Sequence, residues 1–137
     1  MLHLHSTIAI VLLLALVVSI VLTLVNLVGD KPYNRKTALF GLIAAHIQMV
    51  IGFVLYFING YQSMISGETM KSPELRFKII EHPVAMLLGI IFITIGFSKA
   101  KRLTDSKQAN KTVVIFYIIG LILILARVPW GTWSLFH

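Results

Sequence analysis

Long apolar stretches alternate with short charged ones along the whole chain. Four runs, at residues 4–28, 37–58, 79–98 and 112–130, consist mainly of hydrophobic side chains. A helix crosses the hydrocarbon core of a bilayer with about 20 apolar residues, so each run is long enough to span a membrane. Helices are expected because a span must satisfy its own backbone polar groups. The pattern predicts an all-α protein: an integral membrane four-helix bundle, with residues 1–137 as a single domain.

The composition agrees with a membrane protein and excludes an ordinary soluble domain. Hydrophobic residues make up 58% of the 137 residues, and the mean hydropathy is +0.90. A small water-soluble domain has too little interior to hide that much apolar surface. The net charge of +7 does not indicate a nucleic-acid partner, because the basic residues lie in short loops between the apolar runs. The absence of cysteine excludes disulfides and thiolate metal sites.

The charges of the loops predict the direction of the spans. Residues 30–36 and 99–111, around the first and third loops, contain eight Lys or Arg residues against two Asp residues. Residues 68–81, around the second loop, balance three basic residues with three Glu residues. Basic loops mark the cytoplasmic side of an inner-membrane protein. We therefore expect loops one and three inside and both termini outside (N-out/C-out), in a bacterial inner membrane crossed four times.

The third helix is expected to begin before its apolar run. Ser72-Pro73-Glu74 is typical of a helix start, with an N-cap residue, a proline at the first helical position and an acid in the first turn. Pro83 leaves the carbonyl of Ile79 without its helical donor, which predicts a kink. We expect the preceding residues 61–70 to lie along the membrane surface.

Polar side chains on the first helix share one face. His5, Ser19, Thr23 and Asn26 fall close together at 100° per residue. Polar groups are unfavourable in lipid, so this face should turn towards the other helices. Hydrogen bonding between helices is the simplest role for the hydroxyls and for Asn26.

A single histidine lies near the middle of the second helix. His46 adjoins small residues that permit close helix packing, Gly41, Ala45 and Gly52. Three roles remain open for His46: a structural histidine satisfied by a neighbouring hydroxyl or carbonyl, a haem ligand, or a proton-relay group.

The outer ends of the helices combine histidines with charged residues. Two imidazoles at one depth, with a cation nearby, are what a bis-imidazole haem needs for its iron and its propionates. By depth, His82 with His5 or His3 is the best pair, and His46 with His82 is the second. Arg127 is the candidate cation. Gly89, on the same face as His82, leaves room for a partner backbone or a flat ring.

Glu81 and Arg127 are expected to meet near the outer boundary. A bidentate Arg–carboxylate pair would join helices three and four there. In the competing arrangement Arg127 extends to the lipid headgroups or binds a haem propionate, while Glu81 stays hydrated.

Several short motifs together resemble a known group of proteins. They are His3-Leu4-His5-Ser6, Ala45-His46-Ile47-Gln48 followed by Ile51-Gly52, Glu81-His82-Pro83, and Pro129-Trp130. Over essentially the whole chain they resemble short four-helix membrane proteins of Bacteroidetes that are labelled cytochrome b-like. More distantly the chain resembles one four-helix half of haem A synthase, whose axial histidines come from the second and fourth helices of a half. The fourth helix of this chain contains no histidine. The resemblance implies haem b as the cofactor.

Three functions therefore remain open. The first is a small inner-membrane b-type haem protein that assists redox chemistry or electron transfer. The second is a non-enzymatic subunit or assembly factor of a larger membrane complex, respiratory or other, without its own cofactor. The third is a small transporter or proton relay that uses His46. Catalysis is less expected, because the sequence shows no nucleophile–base constellation and no phosphate-binding glycine loop. The lipid bilayer is the expected partner, and a homo-oligomer is compatible with the sequence.

Overall fold

The structure is a computed structural model that describes residues 2–127, with side chains from residue 7 onward. Its helices are α1 (Leu2–Val28), α2 (Arg35–Ile58), α3 (Gly67–Lys71), α4 (Pro73–Arg76), α5 (His82–Arg102) and α6 (Ser106–Ala126). A 3₁₀ turn, Tyr61–Ser63, precedes α3, and a π-helical turn, Phe77–Glu81, joins α4 to α5. No strand occurs between residues 2 and 127. The predicted all-α class is confirmed.

Four helical segments are long and apolar enough to cross a membrane, as the sequence predicts. They are Thr7–Val28, Arg35–Ile58, Pro73–Arg102 and Ser106–Ala126. The third segment continues to Arg102, past the predicted end at Ser98, because basic residues in a last helical turn interact favourably with the helix dipole. The fourth begins at Ser106, where Asp105 caps the helix by accepting from the Lys107 N–H at 3.0 Å. The end predicted at Trp130 lies outside the described residues.

A short turn reverses the chain between α1 and α2. The Lys31 N–H donates to the Asn26 carbonyl at 2.8 Å, and Asp30 adopts the left-handed conformation with φ of 53°. This is the Schellman arrangement, with aspartate at the position that glycine usually occupies. Three residues later the side chain of Asn34 accepts the first backbone N–H groups of α2. The turn makes α1 and α2 antiparallel neighbours.

The four long helices pack in chain order around one core. α1 contacts α2 and α6, and α5 contacts the same two helices from the other side. The α5–α6 interface is the most extensive and the α2–α5 interface the least. Leu16, Ile93, Val113 and Tyr117 are among the largest fully buried side chains. We call the end formed by Val28, Arg35, Arg102 and Ser106 the basic end, and the other the opposite end.

Glycines allow α5 and α6 to touch through their backbones. A Cβ atom added to Gly89 would lie 2.9 Å from the Gly120 carbonyl oxygen, and one added to Gly120 would lie 2.7 Å from the Gly89 oxygen. At Gly96, an added Cβ would lie 2.5 Å from the Cβ of Phe116. The space beside Gly89 is expected from the sequence to hold a partner backbone or a flat ring. In the structure the backbone of Gly120 fills it.

Large apolar side chains cover the outside of the bundle. Leu14, Val28, Ile58 and Ile122 are each at least 60% exposed, and on α5 the most exposed large apolar side chain is Val84, at 49%. Contiguous apolar surface of this extent is typical of contact with a membrane or with another protein.

We expect Gly120→Ala to destabilise the bundle. The added methyl group would meet the Gly89 carbonyl and the Ile93 side chain below 3 Å, and backbone cannot move aside as a flexible side chain can. Overpacking of this kind costs about 1–3 kcal/mol. The loss would be measured as a lower unfolding midpoint in mild detergent, followed by circular dichroism. Gly67→Ala is the control, because no atom lies within 4 Å of its added Cβ. An unchanged midpoint for Gly120→Ala would contradict the close backbone contact.

Candidate functional site

The start of α4 positions the segment that carries the charged residues and His82. The Ser72 hydroxyl accepts the Leu75 N–H at 3.4 Å, Pro73 is at the first helical position, and Glu74 lies in the first turn. The helix start predicted from Ser72-Pro73-Glu74 is confirmed. The helix therefore begins two turns before His82, and the loop ahead of it is tied to it by the Arg76 Nη1 donor, 3.1 Å from the Met70 carbonyl.

A π-helical turn, Phe77–Glu81, connects α4 to α5 where the sequence predicts a kink. Pro83 has no N–H to donate to the Ile79 carbonyl, four residues earlier. The hydroxyl of Tyr56, on α2, donates to this carbonyl at 3.0 Å. The His82 N–H donates to the Phe77 carbonyl, five residues earlier, whereas an α-helical N–H donates to the carbonyl four residues earlier. Tyr56 therefore satisfies the group that proline frees and joins α2 to this turn.

The Glu81 carboxylate lies between two arginines. Arg76 Nε is 2.7 Å from Oε2, and Arg127 Nε is 3.4 Å from Oε1. The predicted Glu81–Arg127 pair is present, but the bidentate geometry is not, because each guanidinium contributes one nitrogen to a different oxygen. Glu81 is only 30% exposed, so both contacts act in a partly desolvated setting. The Arg127 contact joins the end of α6 to the start of the third span, and the Arg76 contact lies within that span.

Sequence spacing does not indicate Arg76 as the nearer partner. It precedes Glu81 by five residues, whereas helical neighbours that meet are three or four apart. The π-helical turn accommodates the additional residue and brings positions five apart onto one face. The pair is thus a consequence of the turn that precedes Pro83.

His82 is oriented by a hydrogen bond to the end of α6. Its Nδ1 lies 2.7 Å from the Arg127 carbonyl oxygen. A carbonyl only accepts, so Nδ1 carries the proton, and in the neutral ring Nε2 has the lone pair. The ring also stacks on Phe77, with centroids 6.2 Å apart and planes at 26°. This arrangement, a backbone carbonyl on one ring nitrogen, is the one that commonly orients a ligating histidine.

His46 makes a bond within its own helix. Its Nδ1 lies 2.9 Å from the Leu42 carbonyl, and the side chain is half-buried. The structural role expected for His46, satisfaction by a neighbouring carbonyl, is therefore seen. The bond again assigns the proton to Nδ1, which leaves the lone pair on Nε2.

The two described histidines lie at different levels of the bundle. Counting from the basic end, His46 is about 16 Å along α2 from Arg35, and His82 is about 30 Å along α5 from Arg102. Two axial imidazoles must approach one iron atom from opposite sides at nearly the same level. Helix geometry therefore disfavours the His46–His82 pair. The side chains of His3 and His5, as well as His137, lie outside the described residues, so a pairing of His82 with His5 or His3 stays a prediction.

Three hydrogen bonds to backbone carbonyls join the helices at the basic end. Tyr117 donates to the Ala38 carbonyl at 2.7 Å, and Ser19 donates to the Thr37 carbonyl at 2.8 Å. The Asn110 amide donates across the bundle to the Lys31 carbonyl at 3.1 Å. The predicted contact of the polar α1 face with other helices is confirmed for Ser19 and for Thr23, both of which are buried. Asn26 is half-buried, and His5 lies outside the described side chains.

Two polar atoms near this end are buried without a hydrogen-bond partner in the described part of the chain. They are the Tyr33 hydroxyl and Oδ1 of Asn110. Burial raises the pKa of Tyr33, and the positive charge of Arg35 opposes that rise. Unsatisfied buried groups are uncommon, and an ordered water molecule is their usual partner.

The described residues contain no group of three or more His, Asp or Glu side chains that could hold a metal ion by themselves. Comparison with protein families, with characterised proteins and with solved structures gives no match.

We expect the Glu81–Arg76 contact to appear as coupling in a double-mutant cycle. Glu81→Gln should lower the unfolding free energy in detergent by about 1 kcal/mol, because a partly buried charge pair contributes more stability than an exposed one. Arg76→Gln should lower the unfolding free energy less in the Glu81→Gln background than in the wild type, because in that background only its bond to the Met70 carbonyl remains to be lost. The control is Glu74→Gln, because Glu74 and Lys78 form an exposed pair at 3.5 Å, worth about 0.3–0.5 kcal/mol. Strictly additive losses for the first pair would show that the two residues do not meet.

Proposed function

We propose that the protein is a multi-pass protein of a bacterial inner membrane, with the basic end in the cytoplasm and both termini outside. Four helices of sufficient length and hydropathy support the placement. The exposed apolar side chains on all of them support it as well. The eight Lys and Arg residues at the basic end support the direction.

The direction is tested with single cysteines at positions 35, 67 and 102. The chain has no cysteine of its own, so labelling has no background. An impermeant thiol reagent, applied to cells whose outer membrane is permeabilised, should label position 67 strongly and positions 35 and 102 weakly. Disruption of the inner membrane should then expose the latter two and serves as the control for their reactivity. The reverse pattern, observed while the inner membrane is still intact, would overturn the orientation.

Within the membrane, the proposed function is that of a small b-type haem protein that assists electron transfer. One observation carries this proposal: the His82 ring is held by its Nδ1–H on the Arg127 carbonyl and by stacking on Phe77, in the tautomer that presents Nε2 as the ligand atom. Haem b, held by His82, would supply one-electron transfer.

Of the two histidines with described side chains, His82 suits such a group better than His46 does. The Arg127 guanidinium adjoins the same end and is suited to a propionate, although it also contacts Glu81. The second axial ligand would be His5, with His3 as the alternative, because His46 lies at another level. The space beside Gly89 is filled by the Gly120 backbone. The group would therefore lie nearer the end of the bundle than the Gly89–Gly120 contact.

A non-enzymatic subunit or assembly factor of a larger membrane complex is the second candidate. It is favoured by the structural role of several polar side chains, which hydrogen-bond between segments of the bundle. Ser19, Tyr56, Asn110 and Tyr117 each donate to a backbone carbonyl outside their own helix, so they act in holding the bundle together. Such a protein needs no cofactor, and haem content separates the two candidates.

We expect protein purified in mild detergent, after expression with a haem precursor, to contain haem b by the pyridine haemochrome assay. His82→Ala should lose most of it, because the oriented axial ligand is removed. His5→Ala should lose it too, while His46→Ala serves as the matched histidine control and should keep the spectrum. Absence of haem from the wild-type protein would rule out the haem function and leave the subunit function. Haem retained in His82→Ala would overturn the ligand assignment alone.

A further inference from the structure

The basic end carries a high density of positive charge that the protein does not neutralise. All eight Lys and Arg side chains of residues 30–36 and 99–111 are exposed, and only Asp30 and Asp105 oppose them. Between residues 7 and 127, every ion pair of the protein lies at the opposite end of the bundle. The charge of the basic end is therefore available to an external anion.

Aromatic rings hold two of these cations at helix–helix seams. The Arg35 guanidinium, on α2, lies 5.7 Å from the centroid of the Phe97 ring on α5. The Lys99 ammonium, on α5, lies 5.4 Å from the centroid of the Phe116 ring on α6. Cation–π contacts of this length restrict the side chains while leaving the charge exposed. The α2–α5 and α5–α6 seams thus each carry one positioned cation.

Exposed apolar side chains occur on the same helices as these cations. Exposed large side chains include Phe40 and Ile43 on α2, Ile95 on α5, and Ile115 on α6. A ligand that suits both features has an anionic group attached to long hydrocarbon chains. Inorganic phosphate would engage the cations and gain nothing from the apolar surface.

We propose that acidic phospholipids bind at these two seams, with their phosphate groups on Arg35 and Lys99 and their acyl chains along the exposed apolar faces. The proposal rests on the membrane placement proposed above and does not depend on haem. Acidic lipids of a cytoplasmic leaflet attract basic residues near the surface, and seams between helices are where headgroups find both charge and shape.

The test uses the full chain in phosphatidylcholine nanodiscs and in mild detergent. Phosphatidylglycerol and phosphatidylcholine with identical acyl chains are titrated, and binding is followed by native mass spectrometry and by the thermal midpoint. Phosphatidylglycerol should bind more tightly, and added salt should weaken the preference. Arg35→Gln and Lys99→Gln should each reduce its apparent affinity about fivefold, the effect of one cation near a lipid surface.

Two controls separate positioned cations from general charge. Lys71→Gln removes an exposed cation near the opposite end and should leave binding unchanged. Lys107→Gln removes a cation of the basic end that has no ring contact within the described residues, and it should reduce affinity less than Arg35→Gln does. An equal loss for Lys107→Gln would overturn the assignment to the seams.

The remaining outcomes also decide the proposal. Equal binding of the two lipids would overturn it, and so would full competition by millimolar inorganic phosphate, which would indicate a simple anion site. In either case, stable insertion into phosphatidylcholine nanodiscs would leave the membrane placement standing. Failure to insert at all would instead count against the placement.

Discussion

The direct backbone contact between Gly89 and Gly120 fixes how α5 and α6 lie against each other, and the opposite end of the bundle depends on it. His82 precedes Gly89 by the same number of residues as Arg127 follows Gly120. Because the helices are antiparallel, both residues lie about 10 Å from the contact, in the same direction. This equal distance explains why Arg127 meets Glu81 with its side chain and His82 with its carbonyl. A side chain at either glycine would separate the helices and disturb this register.

The π-helical turn before Pro83 also shapes that end. Proline removes one helical hydrogen bond, and the π turn with the Tyr56 hydroxyl replaces what is lost. The turn also brings Arg76 within 2.7 Å of Glu81. The turn that precedes Pro83 therefore accounts for one hydrogen bond between α2 and the third span and for the second arginine beside Glu81.

The features that the sequence predicts correctly are local ones. Hydropathy predicts the four long helices, Ser72-Pro73-Glu74 predicts the start of α4, and helical periodicity predicts the burial of Ser19 and Thr23. The Glu81–Arg127 pair is not local in the sequence, but it is predictable because both residues lie where their helices reach the same end of the bundle. The roles of Tyr56, Arg76 and Tyr117 are not, since each depends on how far a helix is rotated about its axis or on the π turn. The haem assignment depends on His3 or His5, and it remains a proposal.

Both ends of the bundle contain neutral hydrogen bonds to backbone carbonyls, but the ion pairs of the described residues all lie at the opposite end. At the basic end, neutral donors on Ser19, Asn110 and Tyr117 bind backbone carbonyls, and such bonds change little with salt or with moderate changes of pH. At the opposite end, Glu81 joins two arginines that are 40% and 46% exposed, so salt screens these contacts. High salt should therefore weaken the ion pairs of the opposite end and leave the hydrogen bonds of both ends in place.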